Sequence, residues 1–96
     1  MGLKDRWPIL NELCQCADLF PELELWAFGS MLLPRRPNDL DVLIIYKNRC
    51  DVVALRDMGL WEVSAPPVDI IAMTPDEENH YQFIKITNAQ RLHPPA

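Results

Sequence analysis

The sequence predicts a small α/β (α+β) domain in which helices pack on a three-stranded mixed sheet. Apolar residues near the start of the chain recur at the three- and four-residue spacing of a helix face. Short, nearly continuous apolar runs rich in β-branched residues follow, as is typical of buried strands. The chain has 96 residues, of which 49% are hydrophobic, so we expect one domain over residues 1–96 with a polar, fraying tail at 91–96.

The elements are predicted in the order helix, strand, turn, strand, helix, strand, helix. The first helix is expected over residues 3–19, with Pro8 in its first turn and Pro21 ending it. Three apolar runs predict strands, at residues 23–28, 39–46 and 68–73.

Capping residues predict where the later helices begin and end. Asn48 is a typical N-cap, and Gly59 is suited to a left-handed helix end. Thr74 and Glu77 have the spacing of a capping box, so a helix should start there and run to about Thr87.

Composition excludes several classes of protein. The formal net charge is −5, with 9 Lys and Arg against 14 Asp and Glu, which argues against general nucleic-acid binding. No apolar run approaches the roughly 20 residues that cross a bilayer, and the N-terminus lacks a signal-peptide pattern. Three cysteines, at positions 14, 16 and 50, have no metal-ligand spacing. We therefore expect a cytoplasmic protein without a membrane partner.

Three aspartates form the most informative pattern. Asp39 and Asp41 open the second strand and are two residues apart, so they project to the same side. Two adjacent carboxylates repel each other unless a divalent cation neutralises them, and oxygen ligands favour Mg²⁺ or Mn²⁺. Asp69, near the start of the third strand, can supply a third ligand or a base. These residues are the expected components of a two-metal phosphoryl-transfer site.

Gly29 and Ser30 are suited to binding phosphate. A glycine at the end of a strand lets the backbone approach an anion, and the N–H groups of the turn and the Ser30 hydroxyl can hold its oxygens. Arg35 and Arg36 follow in the same loop. They either steady a triphosphate or are simply solvated.

Phe28-Gly29-Ser30 and the run Pro-Asn-Asp-Leu-Asp-Val-Leu-Ile at 37–44 resemble the signature of the DNA polymerase beta-like nucleotidyltransferase superfamily. The resemblance covers roughly residues 23–74 and is closest to minimal single-domain members. It implies a nucleotidyltransferase-like fold in which Ser30 contacts the terminal phosphates of a nucleoside triphosphate. It also implies that Asp39 and Asp41 bind two magnesium ions, with Asp69 helping to activate an acceptor hydroxyl.

The resemblance implies an enzyme that transfers a nucleoside monophosphate, AMP from ATP above all, to a hydroxyl and releases pyrophosphate. The acceptor would be a small molecule or a protein partner, as for antitoxin-type members that modify a toxin. The alternative is an inactive nucleotide-binding or protein-interaction module, because Leu32-Leu33-Pro34 stands where the family often has Ala-Arg-Gly. Asp-x-Asp phosphatases of the haloacid-dehalogenase type are disfavoured, since here the apolar run follows the aspartates.

The face of the sheet that carries the aspartates also predicts a partner. Leu43 and Ile45 share that face, together with Ile71 and Met73 on the third strand. We expect them to be incompletely covered unless the last helix folds across them. Exposed apolar surface of this kind predicts a helical protein partner or a homodimer.

Overall fold

The structure, a computed structural model, describes residues 2–34, 36–59 and 66–94. Helices pack on a mixed sheet whose strand order in this part of the chain is β3-β2-β1-β4. The elements are α1 (Leu3–Arg6), α2 (Pro8–Ala17), β1 (Glu24–Phe28), a 3₁₀ turn (Gly29–Leu32), β2 (Leu40–Ile45), α3 (Arg49–Asp57), β3 (Val68–Met73), α4 (Pro75–Tyr81), α5 (Phe83–Thr87) and β4 (Gln90–His93).

The sheet is mixed, as predicted, but it has a fourth strand. Central β2 pairs antiparallel with β1 and parallel with β3, while β4 adds to the other side of β1. The expectation of a fraying tail is therefore wrong for residues 91–93, which lie in β4. Leu92 is only 4% exposed and joins the core. Residues 95–96 lie outside the described part of the chain.

Both terminal helices are interrupted where one continuous helix was expected. Trp7 leaves the helical conformation (φ −128°, ψ 88°) because it precedes Pro8, which disfavours a helical residue before it. In the last segment, Gln82 takes a left-handed conformation with φ +54° and separates α4 from α5. The N–H of Ile84 then donates to Oε2 of Glu78 at 3.1 Å, which ties the two short helices together.

The predicted caps are confirmed. The side chain of Asn48 accepts a hydrogen bond from the N–H of Cys50 at 3.0 Å. Thr74 Oγ1 accepts from the N–H of Glu77 at 3.2 Å, and Glu77 Oε1 accepts from the N–H of Thr74 at 2.9 Å. Gly59 has φ +69°, which suits the end of α3.

The main core lies between one face of the sheet and the helices α2 and α3. Alternate residues of each strand point to this face. Its fully buried side chains include Leu10, Leu13, Leu25, Ala27, Leu40, Val42, Ile44 and Leu55. None of the helices in the described ranges is long and apolar enough to cross a bilayer.

Helix α5 contacts the opposite face of the sheet through Phe83. The Phe28 and Phe83 rings meet edge to face, with centroids 4.9 Å apart. Leu43 and Ile45 are buried, which agrees with the stated exception that the last helix folds across this face, so these two residues do not provide the uncovered apolar surface from which a partner was predicted. Ile71, on the outer strand β3, remains 40% exposed.

Candidate active site

The candidate site lies at one end of the sheet, where β1 ends and β2 and β3 begin. Because β1 runs antiparallel to β2, its C-terminal residue Phe28 pairs with Asp41. Because β3 runs parallel to β2, Asp69 also pairs with Asp41. The structure thus brings the predicted phosphate-binding turn and the predicted carboxylates to the same end of the sheet.

Asp41 is at the centre of this end of the sheet. Residues in register on neighbouring strands project to the same face, so the carboxylates of Asp41 and Asp69 are neighbours. Partial burial raises the pKa of Asp41 above its usual range, and the negative charges of Asp69 and Asp39 raise it further. A bound cation would relieve this repulsion.

The backbone at Gly29 lies against the carboxylate of Asp41 and leaves no room for a Cβ. Its φ is +80°, a left-handed conformation that favours glycine. A Cβ built on Gly29 would overlap Oδ2 of Asp41 and lie 3.2 Å from Cγ. The backbone at the end of β1 and the first carboxylate of β2 are therefore in close contact.

Ser30 occupies the 3₁₀ turn that follows Gly29. Its carbonyl accepts the N–H of Leu33 at 3.1 Å, which closes the turn. Its half-buried side chain makes no hydrogen bond to any described residue. The hydroxyl is thus free, with respect to these residues, to bind an anionic oxygen.

The aspartates do not form a closed metal cage. Within residues 2–34, 36–59 and 66–94, no group of three or more His, Cys, Asp or Glu side chains is arranged to hold a metal ion. Asp69 is exposed, whereas Asp39 and Asp41 are half-buried. This arrangement still fits Mg²⁺, because that ion keeps several waters and is usually bound by one or two carboxylates together with substrate phosphates.

Of the two predicted arginines, the structure describes Arg36. Arg36 is exposed and forms no ion pair with the described residues. Arg35 lies outside the described residues. A cavity of about 500 Å³ lies between α1 and β4, and one of about 260 Å³ lies beside α3. Neither is lined by the aspartates, so neither identifies an acceptor pocket.

Phe83 is a neighbour of the site that the sequence pattern does not identify. It packs edge-on against Phe28, which directly precedes Gly29 and pairs with Asp41. Its position in the apolar sequence Phe-Ile-Lys-Ile indicates a buried helix face, but nothing in that pattern specifies which strand the helix contacts. Phe83 therefore supports the site from the side of α5.

Comparison with known proteins gives no family assignment. No protein-family model matches the sequence, and no curated protein matches it at a significant level. The residues that meet at this end of the sheet are therefore the guide to function.

Proposed function

We propose that the protein is a metal-dependent nucleotidyltransferase with a fold of the DNA polymerase beta-like type. It transfers a nucleoside monophosphate, AMP from ATP in the first instance, to a hydroxyl group. The observation that carries this proposal is the position of Asp41, which lies beside Asp69 in the parallel strand pair and against Gly29 at the end of β1. A carboxylate pair next to a phosphate-binding turn is suited to phosphoryl-group chemistry.

Each residue has a distinct role in the proposal. Asp39 and Asp41 would hold Mg²⁺ or Mn²⁺, with Asp69 as a further oxygen ligand. The bound ion would supply positive charge to the triphosphate. The backbone at Gly29 and the Ser30 hydroxyl bind phosphate oxygens, and Arg35 and Arg36 contribute positive charge from the loop.

The proposed reaction is a displacement at the α-phosphorus. The acceptor oxygen forms a bond to that phosphorus, the bond to the bridging oxygen breaks, and pyrophosphate leaves. The acceptor proton passes to the carboxylate of Asp69. Asp69 suits this role because it is exposed, so an acceptor can reach it while Asp41 beside it remains half-buried.

The proposed acceptor is a hydroxyl on a helical protein partner, such as a toxin, or on a small molecule. The exposed position of Asp69 on β3 supports a large acceptor, because a bulky partner can approach a carboxylate that solvent reaches. We propose the cytoplasm as the location. The described cysteines Cys14, Cys16 and Cys50 are all free thiols, as expected in a reducing compartment.

Transfer of label from α-labelled ATP tests this proposal. The protein is incubated with Mg²⁺, labelled ATP and the product of the neighbouring gene, and both label transfer and pyrophosphate release are measured. We expect Asp41→Asn to abolish both. Asp57→Asn makes the same chemical change at an exposed position on α3 and should leave both unchanged. Transfer that survives Asp41→Asn would rule out the proposed site.

The second candidate is an inactive module that binds a nucleotide or a partner without turnover. It is favoured by the absence of a closed ligand cluster among the described residues and by the Leu32-Leu33-Pro34 segment. Thermal unfolding with ATP, in the presence and in the absence of Mg²⁺, separates the alternatives, since a ligand of the folded state raises apparent stability. Nucleotide binding that needs neither Mg²⁺ nor Asp39 would favour the inactive module.

A further inference from the structure

The outer edge of β3 pairs with no other strand in the part of the chain that the structure describes. Within residues 2–34, 36–59 and 66–94, β3 is the last strand on its side of the sheet and pairs only with β2. Natural proteins usually protect such an edge with lysine, proline or a bulge within the strand. Here the sequence Val-Asp-Ile-Ile-Ala-Met carries one charge, at Asp69, and its pairing with β2 is regular over all six residues.

The hydrogen bonds at the two ends of β3 show which backbone groups face outward. Leu40 N–H donates to the carbonyl of Pro67 at 2.8 Å, and Tyr46 N–H donates to that of Met73 at 2.9 Å. In a regular parallel ladder, alternate residues bond to the same neighbour. Residues 69, 71 and 73 therefore bond to β2, whereas the backbone groups of 68, 70 and 72 point away from the sheet.

These outward groups have no hydrogen-bond partner among the described residues. No backbone or side-chain hydrogen bond outside the sheet involves Val68, Ile70 or Ala72. The side chains of Ile71 and Ala72 are exposed next to them. The edge thus presents a row of unpaired donors and acceptors beside apolar side chains, which another extended strand can bind.

The strand is complementary to itself when two copies run antiparallel. With a two-fold axis at Ile70, each Ile70 pairs with its equivalent, and Val68 pairs with the smaller Ala72 of the second copy. Each of these pairs joins two outward-facing residues, so each exchanges two hydrogen bonds. Asp69 then lies opposite Ile71 of the second copy and not opposite another Asp69. Like charges directly opposite each other would be destabilising.

We infer that β3 is the surface through which two copies of this chain associate, forming one continuous sheet across the dimer. The occupant is a second copy because two-fold pairing places the larger Val68 opposite the smaller Ala72 and keeps the two Asp69 carboxylates from lying opposite each other. This inference does not depend on the proposed enzymatic function. In the dimer, Ile71 of the second copy would lie beside Asp69, so each candidate active site would lie next to the dimer interface.

Sedimentation of the full chain over a range of concentrations, with amide exchange measured in parallel, tests this inference. We expect a dimer whose formation slows exchange at Val68, Ile70 and Ala72. The amide of Ile71 already bonds to β2, and its exchange should depend far less on concentration. A chain that stays monomeric at every concentration, or a dimer that leaves the outward amides unprotected, would overturn the inference.

Variants of Ala72 test whether the outer edge of β3 is the dimer interface. Ala72→Pro removes an outward N–H without removing a hydrogen bond to β2, and Ala72→Ser keeps that N–H as the matched control. Ala72→Lys adds a charge at the same exposed position and is a second test should the proline variant not fold. Circular dichroism verifies folding in each case.

We expect Ala72→Pro and Ala72→Lys to be monomers and Ala72→Ser to remain a dimer. Ile86→Lys places the same charge on α5, where the side chain is 74% exposed, and should also remain a dimer. Dimers that persist in both Ala72→Pro and Ala72→Lys would overturn the inference. So would a dimer that is lost in Ile86→Lys, because the interface would then lie on α5.

Discussion

Replacing Gly29 with alanine should both destabilise the protein and displace the carboxylate of Asp41. At φ +80° an L-residue is disfavoured by about 1–2 kcal/mol. The added Cβ would also overlap Oδ2 of Asp41 and approach Cγ to 3.2 Å, and relieving that overlap costs about 1 kcal/mol more. The free energy of unfolding should therefore fall by about 2–3 kcal/mol. Each kcal/mol lowers the Tm of a domain this size by about 4–8 °C.

A double-mutant cycle separates the two contributions. Thermal and urea unfolding are measured for the wild type, Gly29→Ala, Asp41→Ala and the double variant. When Asp41 is replaced by alanine the overlap with the carboxylate is gone, so Gly29→Ala should cost only the conformational part, about 1–2 kcal/mol. The coupling free energy between the two positions should then be about 1 kcal/mol.

Two results would refute this reasoning. A loss below about 0.5 kcal/mol in Gly29→Ala would contradict the left-handed backbone at that position, since such small effects are usual for unconstrained surface sites. An equal loss in the wild-type and Asp41→Ala backgrounds would contradict the contact between the glycine and the carboxylate.

Three further changes test other parts of the structure. The pKa of Asp41 is raised, so the folded state binds a proton at this carboxyl more tightly than the unfolded chain does. The stability that this protonation contributes is present at low pH and is lost as the pH rises through the pKa of the folded state. Without metal, the unfolding free energy of Asp41→Asn should therefore exceed that of the wild type at pH 7 and match it near pH 3. Parallel pH profiles of the two proteins in urea unfolding would contradict this. Thr74→Ala removes the capping box of α4 and should lower the unfolding free energy by about 1 kcal/mol, and an unchanged urea midpoint would show that the cap is dispensable. Leu92→Ala should lower it by about 2–4 kcal/mol, whereas a change below about 0.5 kcal/mol would indicate that β4 frays.

Local features of the fold were predictable from the sequence. The bounds of β3 were predicted from one apolar run, and the caps at Asn48 and Thr74 depend on residues only two or three positions away. β4 was not predictable, because its pairing with β1 depends on a contact between distant parts of the chain. Its one core residue, Leu92, gives no periodic signal in a four-residue strand.

The candidate site was predictable in composition but not in its contacts. The residue types at Gly29, Ser30 and the aspartates indicated phosphate and metal chemistry. That Asp41 meets Asp69 depends on the parallel register of β2 and β3, and that it meets Gly29 depends on the antiparallel register of β1 and β2. Register is set by how both strands bury their apolar faces, which a single strand's sequence does not specify.

Calorimetric titration of ATP, with and without Mg²⁺, is the most direct test of the proposed nucleotide site. The proposal predicts binding that requires Mg²⁺, that is lost in Asp39→Asn and Asp41→Asn, and that persists in the matched variant Asp57→Asn. Equal affinity with and without Mg²⁺, or no detectable binding of ATP or another nucleoside triphosphate to the folded wild type, would contradict it.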